Sequence, residues 1–360
     1  MLLRFNWIKF ISGYLGFSTP SYVVLFVTAR CNMSCKMCFY WENIEKANTK
    51  NELTLDEIVK ISKSFGQIIN LAIGGGEPFI RPDLDLVCKA FYENAKARFF
   101  NIPTNGSFPE KIKDTVEKIL ISCPKAQLVI ELSLDGIGKD HDDIREHSGA
   151  FAKLLQTSRQ LAELKKKYPL LHVKISSVFS SLNQDKVHEL FAYVKENLQF
   201  DDYDISLMHD RPAPKDKSTL DYILQKFTRV LEDVEEFTKK SQKSFFSKML
   251  FTLRKLTNQD ILRVAQGARI SSPCTAIRNL VVISETGEVF PCETLKEEIG
   301  QLRNNDYNIK KILRSERAQF INNKYKIRTE CSCNWGCAIF NNKLYDPKMI
   351  APIVLGAVKR

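Results

Sequence analysis

Through about residue 210, short runs rich in branched and aromatic residues alternate with longer segments of helical period, and that alternation restricts the chain to repeated βα units around a parallel sheet. Strands are predicted at 22–28, 67–73, 98–103, 127–134, 172–179 and 202–208, and helices near 54–65, 82–96, 109–121, 149–167 and 184–197. The first helix is marked by Thr54 and Glu57, spaced as a capping box ahead of Ile58 and Ile61. Six such units predict an α/β fold, a partial (β/α)6 TIM-like barrel, whose sites form at the carboxyl ends of the strands.

Arg211-Pro212-Ala213-Pro214 breaks the alternation, and 218–266 reads as charged helices with Leu220, Ile223, Phe227, Val230, Val234 and Phe237 at core-packing spacing. From Cys274 the character changes to a hairpin-like segment, 281–290, followed by a cysteine cluster. The expected organisation is an N-terminal apolar segment (1–20), the barrel (21–212), a helical insertion (213–270), a small cysteine-rich domain (271–345) and a tail (346–360). There is no internal repeat and no low-complexity tract.

Cys31, Cys35 and Cys38, spaced C-x3-C-x2-C, stand on the loop after the first strand. Three thiolates can hold three irons of a [4Fe-4S] cube and leave the fourth open to a ligand. Gly74-Gly75-Gly76-Glu77-Pro78 follows the second strand, where glycines let backbone groups approach a ligand; a simple tight turn is the alternative. Ten cysteines without a secretory signature imply metal chemistry in a reducing, cytoplasmic compartment rather than a disulfide framework. The net charge of +11 favours anionic partners, but its scattered lysines and arginines give no nucleic-acid stripe.

The charge-free stretch 10–29 is too polar and broken to cross a bilayer. Leu2, Leu3, Phe5, Trp7, Ile8, Phe10, Ile11, Tyr14, Leu15 and Phe17, interleaved with Arg4 and Lys9, leave two readings open: peripheral membrane contact, or a helix covering the bottom of the barrel.

The cysteine loop together with Gly75-Gly76-Glu77 resembles the radical S-adenosylmethionine (SAM) enzymes over the first 210 residues or so. The resemblance implies that SAM chelates the open iron through its amino and carboxylate groups, with the glycine-rich segment receiving the amino group. The family commonly has an aromatic residue before the third cysteine; here Met37 stands there, and Phe39, after Cys38, is the candidate for packing on the cofactor. Thr104-Asn105-Gly106 and Ser133-Leu134-Asp135-Gly136 resemble segments lining the SAM pocket, which implies cofactor roles for Asn105, Ser133 and Arg145, the last as a guanidinium for the SAM carboxylate. A solvated helix position is the alternative for Arg145, and for Ser176 and Ser177 the choice is adenosyl contact or barrel filling.

Cys274-x12-Gly287-x4-Cys292 and then Cys331-x-Cys333-x3-Cys337 resemble the SPASM/twitch extension of many such enzymes. The resemblance implies one auxiliary [4Fe-4S] cluster on Cys274, Cys292 and Cys337 with Cys333 or Cys331 as fourth ligand; a zinc ribbon is the alternative. Cys88 and Cys123 lie on barrel elements, and His141, His147, His172, His188 and His209 have no metal-ligand spacing. The implied activity is reductive SAM cleavage to a 5′-deoxyadenosyl radical that abstracts a substrate hydrogen, with an external one-electron reductant of flavodoxin or ferredoxin type. The substrate is a peptide or protein side chain, as for maturases, or alternatively a small metabolite, sugar or lipid; a noncatalytic iron-sulfur or zinc protein is the remote alternative. Only 30 residues precede Cys31, too few for a separate N-terminal peptide-recognition domain.

Overall fold

The computed structural model describes residues 7–15, 19–208, 217–270, 272–326, 331 and 333–358. Residues 1–6, the break at 211–214 and His209 lie outside the described residues. Strands β1 (Tyr22–Thr28), β2 (Asn70–Gly75), β3 (Phe99–Thr104), β4 (Gln127–Ser133), β5 (Leu171–Phe179) and β6 (Asp202–Leu207) are all parallel to their neighbours. Helix α1 (Trp7–Leu15) precedes them, and α2 (Trp41–Glu45), α3 (Leu55–Ser64), α4 (Leu84–Asn94), α5 (Pro109–Ser122), α6 (Lys139–Arg145), α7 (Ala150–Lys167) and α8 (Val187–Asn197) fall between them.

The predicted alternation is therefore present, with the short helices α2 and α6 added and β2 shifted. β2 begins later than expected because Ile68 and Ile69 spend their amides on Ala95 and Ser21 before the ladder starts, and it runs on into the glycine turn. The short α6 breaks what reads in sequence as one loop, starting after Gly138 at φ +56°.

β1 is buried on both faces from Val23 onward, as a central parallel strand should be. On β3, β4 and β5 strict alternation sends one set of side chains into the helix-covered core, where Phe100, Ile102, Leu128, Ile130, Leu132, Val173, Ile175 and Phe179 are sealed from water. The other set is half-buried and faces the barrel interior. The capping box of α3 forms: the Thr54 hydroxyl accepts from the Glu57 amide at 3.3 Å, and the Glu57 carboxylate accepts from the Thr54 amide at 2.8 Å. The same carboxylate takes Arg303 at 2.7 Å, which with the other donors holds its pKa down to about 2.

Helices α9 (Lys217–Ser241) and α10 (Phe245–Ala265) follow, and the apolar stripe of α9 packs as core, with Phe227 on Phe179 and Phe237 on Phe191 and Phe200. The hairpin β7 (Leu280–Ile283) and β8 (Glu288–Phe290), with β9 (Gly300–Gln301), continues the barrel's own sheet: the strand order is β6-β5-β4-β3-β2-β1-β7-β8-β9, with β7 parallel to β1. The segment expected to open a second domain is thus hydrogen-bonded to the first barrel strand. Helices α11 (Ile309–Leu313), α12 (Glu316–Lys326), α13 (Gly336–Leu344) and α14 (Ile350–Val358) complete the chain.

Helix α10 joins the two ends of the barrel arc. Arg254 pairs with Asp202 of β6 at 2.6 Å, while Ile261 packs with Trp335, Ala338 and Ile339 against Val24, Leu280 and Val282 of β1 and β7. Asp260 and Lys343, 6% and 5% exposed, form an ion pair at 2.6 Å between α10 and α13. Helix α1 lies at the amino end of β1: Phe10 and Tyr14 pack on Tyr345, whose hydroxyl bonds Ser21 at 2.7 Å, and Asn279 donates to Gly13. In residues 7–15 the barrel-covering reading of the N-terminal segment describes what is seen. Replacing Asp260 with Ala strands the buried Lys343 ammonium, and denaturant unfolding is expected to show a loss of about 3 kcal/mol.

Candidate active site and metal centres

The loop carrying Cys31, Cys35 and Cys38 leaves the carboxyl end of β1, and three neighbouring loops grip it. Gly76 and Glu77 donate their amides to the Thr28 and Arg30 carbonyls at 2.9 and 2.8 Å. A Cβ on Gly75, at φ +127°, would lie 2.1 Å from the Thr28 oxygen, and one on Gly76 would lie 2.1 Å from the Arg30 oxygen. The glycines are needed, then, for contact with the cysteine loop itself. From the loop after β3, Asn105 donates to Asn32 at 2.9 Å, and Asn32 donates in turn to Ser107 at 2.9 Å. From α6, the Ile144 carbonyl accepts from Lys36 at 3.0 Å.

Glu77 points into the protein, only 2% exposed, and accepts from Thr104 at 2.8 Å, the Asn105 amide at 2.8 Å and the Phe79 amide at 3.2 Å. Burial raises its pKa to about 7 against those donors. It bolts the glycine turn to the next loop. Arg145 is not solvated: its side chain is 11% exposed, and its guanidinium pairs with the fully buried Asp135 at 2.5 Å and reaches the Cys35 sulfur at 3.7 Å. Burial opposes its charge, but Asp135 and Cys35 outweigh that and raise its pKa. Asp135, not singled out in the sequence, also accepts from the Val178 amide at 2.8 Å.

Ser133 is half-buried at the end of β4, opposite Ser176 of β5. Ser177 faces the other way and is fully buried, bonded to Leu134 and Tyr203, so it fills the fold. Phe39 is 43% exposed at the rim, whereas Tyr40 turns inward onto Phe26 and bonds Glu285.

None of the ten cysteines is in a disulfide. Burial pushes Cys31 up to about 11, so metal binding there must displace a proton. The nearby Arg145 cation suits an anionic thiolate set. Among the described residues no three His, Cys, Asp or Glu side chains converge on one ion position. Three cysteine thiolates on one loop are the donor set for a cube, which takes each thiolate at a different iron.

Further along, burial beside Thr294, with a smaller contribution from the nearby Cys274, pushes Cys292 up to about 11, and Cys331 and Cys333 pack with Cys292 and Cys38 around one apolar cluster. Cys337, at the start of α13, lies beside the Tyr22 hydroxyl and near Glu293. Cys88 and Cys123 are buried on α4 and at the end of α5, away from both groups.

The inner face of the barrel carries charge that the sequence reading missed. Lys174 on β5 lies 2.7 Å from Glu131 on β4 and 3.3 Å from Asp204 on β6, and the Asp202–Arg254 pair lies beside them. Burial opposes the Lys174 charge, but Asp204 and Glu131 keep it protonated. The signal was present as the polar set of each alternating strand, yet only pairing brings these positions together.

The parallel sheet carries a cysteine loop, a glycine turn and a buried arginine at its carboxyl end, and residues 25–168 match the Radical SAM superfamily: the chain contains a radical SAM domain and is an enzyme of radical chemistry, and that superfamily uses a [4Fe-4S] cluster and SAM. It is 25% identical over 334 residues to the cysteine-type anaerobic sulfatase-maturating enzyme of Clostridium perfringens, covering 85% of this chain and 83% of that one. The fold is that of the solved anaerobic sulfatase-maturating enzyme anSMEcpe with bound AdoMet and the peptide Cp18Cys (TM-score 0.57, 21% identity, 95% and 98% coverage). It is also that of Streptococcus suis SuiB bound to S-adenosylmethionine (TM-score 0.58, 15% identity, 92% and 72% coverage). No described helix is long and apolar enough to cross a membrane.

Gly76→Ala forces the glycine turn off the Arg30 carbonyl at a cost of about 1–3 kcal/mol. Iron retained after anaerobic reconstitution is expected to fall sharply while far-ultraviolet circular dichroism stays native. A second expectation concerns His141, which is fully buried and accepts the Asp135 amide through Nδ1 at 3.2 Å; burial lowers its pKa to about 4. Since the unfolded chain binds this proton first, stability is expected to fall by about 1.4 kcal/mol per pH unit between pH ~6.5 and ~4. His141→Gln is expected to flatten that slope in denaturant titrations.

Proposed function

We propose that this enzyme modifies a peptide or protein side chain at the carboxyl end of its barrel, in the manner of a maturase. The observation that carries the reading is the extent of similarity to the sulfatase-maturating enzyme, which covers 85% of this chain and so extends well beyond the barrel segment alone. A solved relative of the same fold holds AdoMet and a peptide together.

In this reading Cys31, Cys35 and Cys38 hold the first cluster. Gly75 and Gly76 present backbone groups to SAM, Ser133 and Phe39 flank it, and Glu77 and Asn105 act through the loop they fasten. Arg145, fixed by Asp135, offers its remaining guanidinium capacity to the cofactor carboxylate. When bound, the cluster and SAM supply reductive cleavage and a 5′-deoxyadenosyl radical able to remove a substrate hydrogen. Cys274, Cys292 and Cys337, with Cys333 or Cys331 as the fourth ligand, hold an auxiliary [4Fe-4S] cluster.

The protein's own contribution is placement: Glu131, Lys174, Asp202, Asp204 and Arg254 form a fixed polar wall that orients the substrate. A flavodoxin- or ferredoxin-type protein delivers the electron, in a reducing cytoplasmic setting. The boundaries 21–212, 213–270 and 271–345 are proposed as barrel, insertion and SPASM/twitch units, the last sharing the barrel's sheet.

The test is anaerobic reconstitution with SAM and dithionite, followed by chromatography for 5′-deoxyadenosine. The wild type is expected to form it and Cys35→Ala to form none; no product with an intact first cluster rejects the reading. Lys174→Met is expected to keep SAM cleavage but lower modification of a peptide found by library screening about a hundredfold.

A further inference from the structure

We propose that the outer face of α14, together with the lysine-rich turn between α9 and α10, docks on an anionic phospholipid surface. Helix α14, Ile350–Val358, contains no charged or hydrogen-bonding side chain. One face is spent on the fold: Ile353 and Ala357 are buried, and Gly356 sits so close to α10 that a Cβ would lie 2.5 Å from the Thr252 methyl. The opposite face is equally apolar and open, with Ile350, Leu355 and Val358 exposed by 52%, 56% and 67% and Ala351 and Pro352 exposed between them. A helix serving only the interior would present polar residues there. At nine residues it is too short to span a bilayer, so it can only lie in the interface plane.

Charge identifies the partner. Lys343 beside Asp260 and Gly356 beside Thr252 show that α14 runs back along α10 toward its first turns. There Phe245 is 52% exposed, and Lys239, Lys240, Lys243 and Lys248 surround the turn, with Glu236 the acidic neighbour, 3.4 Å from Lys240. An exposed aromatic among lysines beside an open apolar helix suits anionic headgroups above acyl chains. A second copy of the chain would bring the same lysines rather than an acidic counterpart. Ile11, 55% exposed on α1, adds an apolar side chain on the helix that packs on Tyr345, just before α14. The face begins near the amino end of β1, away from the cysteine loop, so docking leaves the site open.

The experiment is flotation of the full chain with vesicles of phosphatidylglycerol and phosphatidylcholine, against vesicles of phosphatidylcholine alone. Binding is expected only with the anionic lipid and is expected to weaken as salt rises. Combining Ile350→Ser, Leu355→Ser and Val358→Ser is expected to lower partitioning about tenfold or more, and Lys239→Glu with Lys240→Glu and Lys243→Glu about tenfold. Both sets are expected to leave 5′-deoxyadenosine formation unchanged. No flotation at low salt, or flotation indifferent to both sets, overturns the proposal. So does a dimer in light scattering that the serine set abolishes without vesicle binding, which would assign the face to a second copy.

Discussion

The contact on which the site depends is backbone against backbone: the glycine turn after β2 lies directly on the cysteine loop after β1, with amide-to-carbonyl bonds at 2.8 and 2.9 Å and no space for a Cβ at Gly75 or Gly76. A loop of eight or so residues bearing three thiolates would otherwise sample many shapes, and ordering it costs about 1–2 kcal/mol per residue. Here the cost is offset by bonds from three successive strand ends. The order of those strands in the sheet, β1-β2-β3-β4, is the order in which the grips arrive.

Charge is arranged on the same principle. The Asp135–Arg145 pair is buried, and such a pair is weak evidence of stability, since desolvation consumes most of the attraction. Its value lies in direction. Asp135 is fixed by the Val178 amide on the next strand, so the guanidinium it holds has one orientation, toward Cys35. The Glu131–Lys174–Asp204 wall spans three strands and is fixed by register: Glu131 stands opposite Lys174, and Lys174 opposite Asp202.

How much of this was legible in the sequence follows from the range of each interaction. The six strands, the α3 capping box and the α9 stripe rest on spacings of two to four residues, and they were readable. The cysteine spacing and the glycine turn announced themselves as motifs, but the reason for the glycines did not, because Arg30 and Gly76 meet only once β1 and β2 pair. Arg145 was left between a cofactor role and solvent, since its partner Asp135 lies ten residues away across the turn into α6. The interior wall was invisible because an outward polar face and an inward one have the same period. Strand alternation tells the two sets apart but not which is covered by helices.

The pairing of β7 with β1 bears on how the two cysteine groups relate. β1 delivers the first loop at its carboxyl end, and β7, in register with it from Tyr22–Leu280 to Leu25–Ile283, follows Cys274 and leads through β8 to Cys292. Cys38, Cys292, Cys331 and Cys333 pack around one apolar cluster that includes the inner face of β1. A C-terminal unit joined by a flexible linker could vary its distance from the first loop. One joined by a parallel ladder cannot do so without breaking the sheet, so the spacing between the two groups is set by the barrel itself. That rigidity suits electron transfer or substrate enclosure, both of which require a fixed separation, and it makes the hairpin at 280–290 part of the catalytic scaffold.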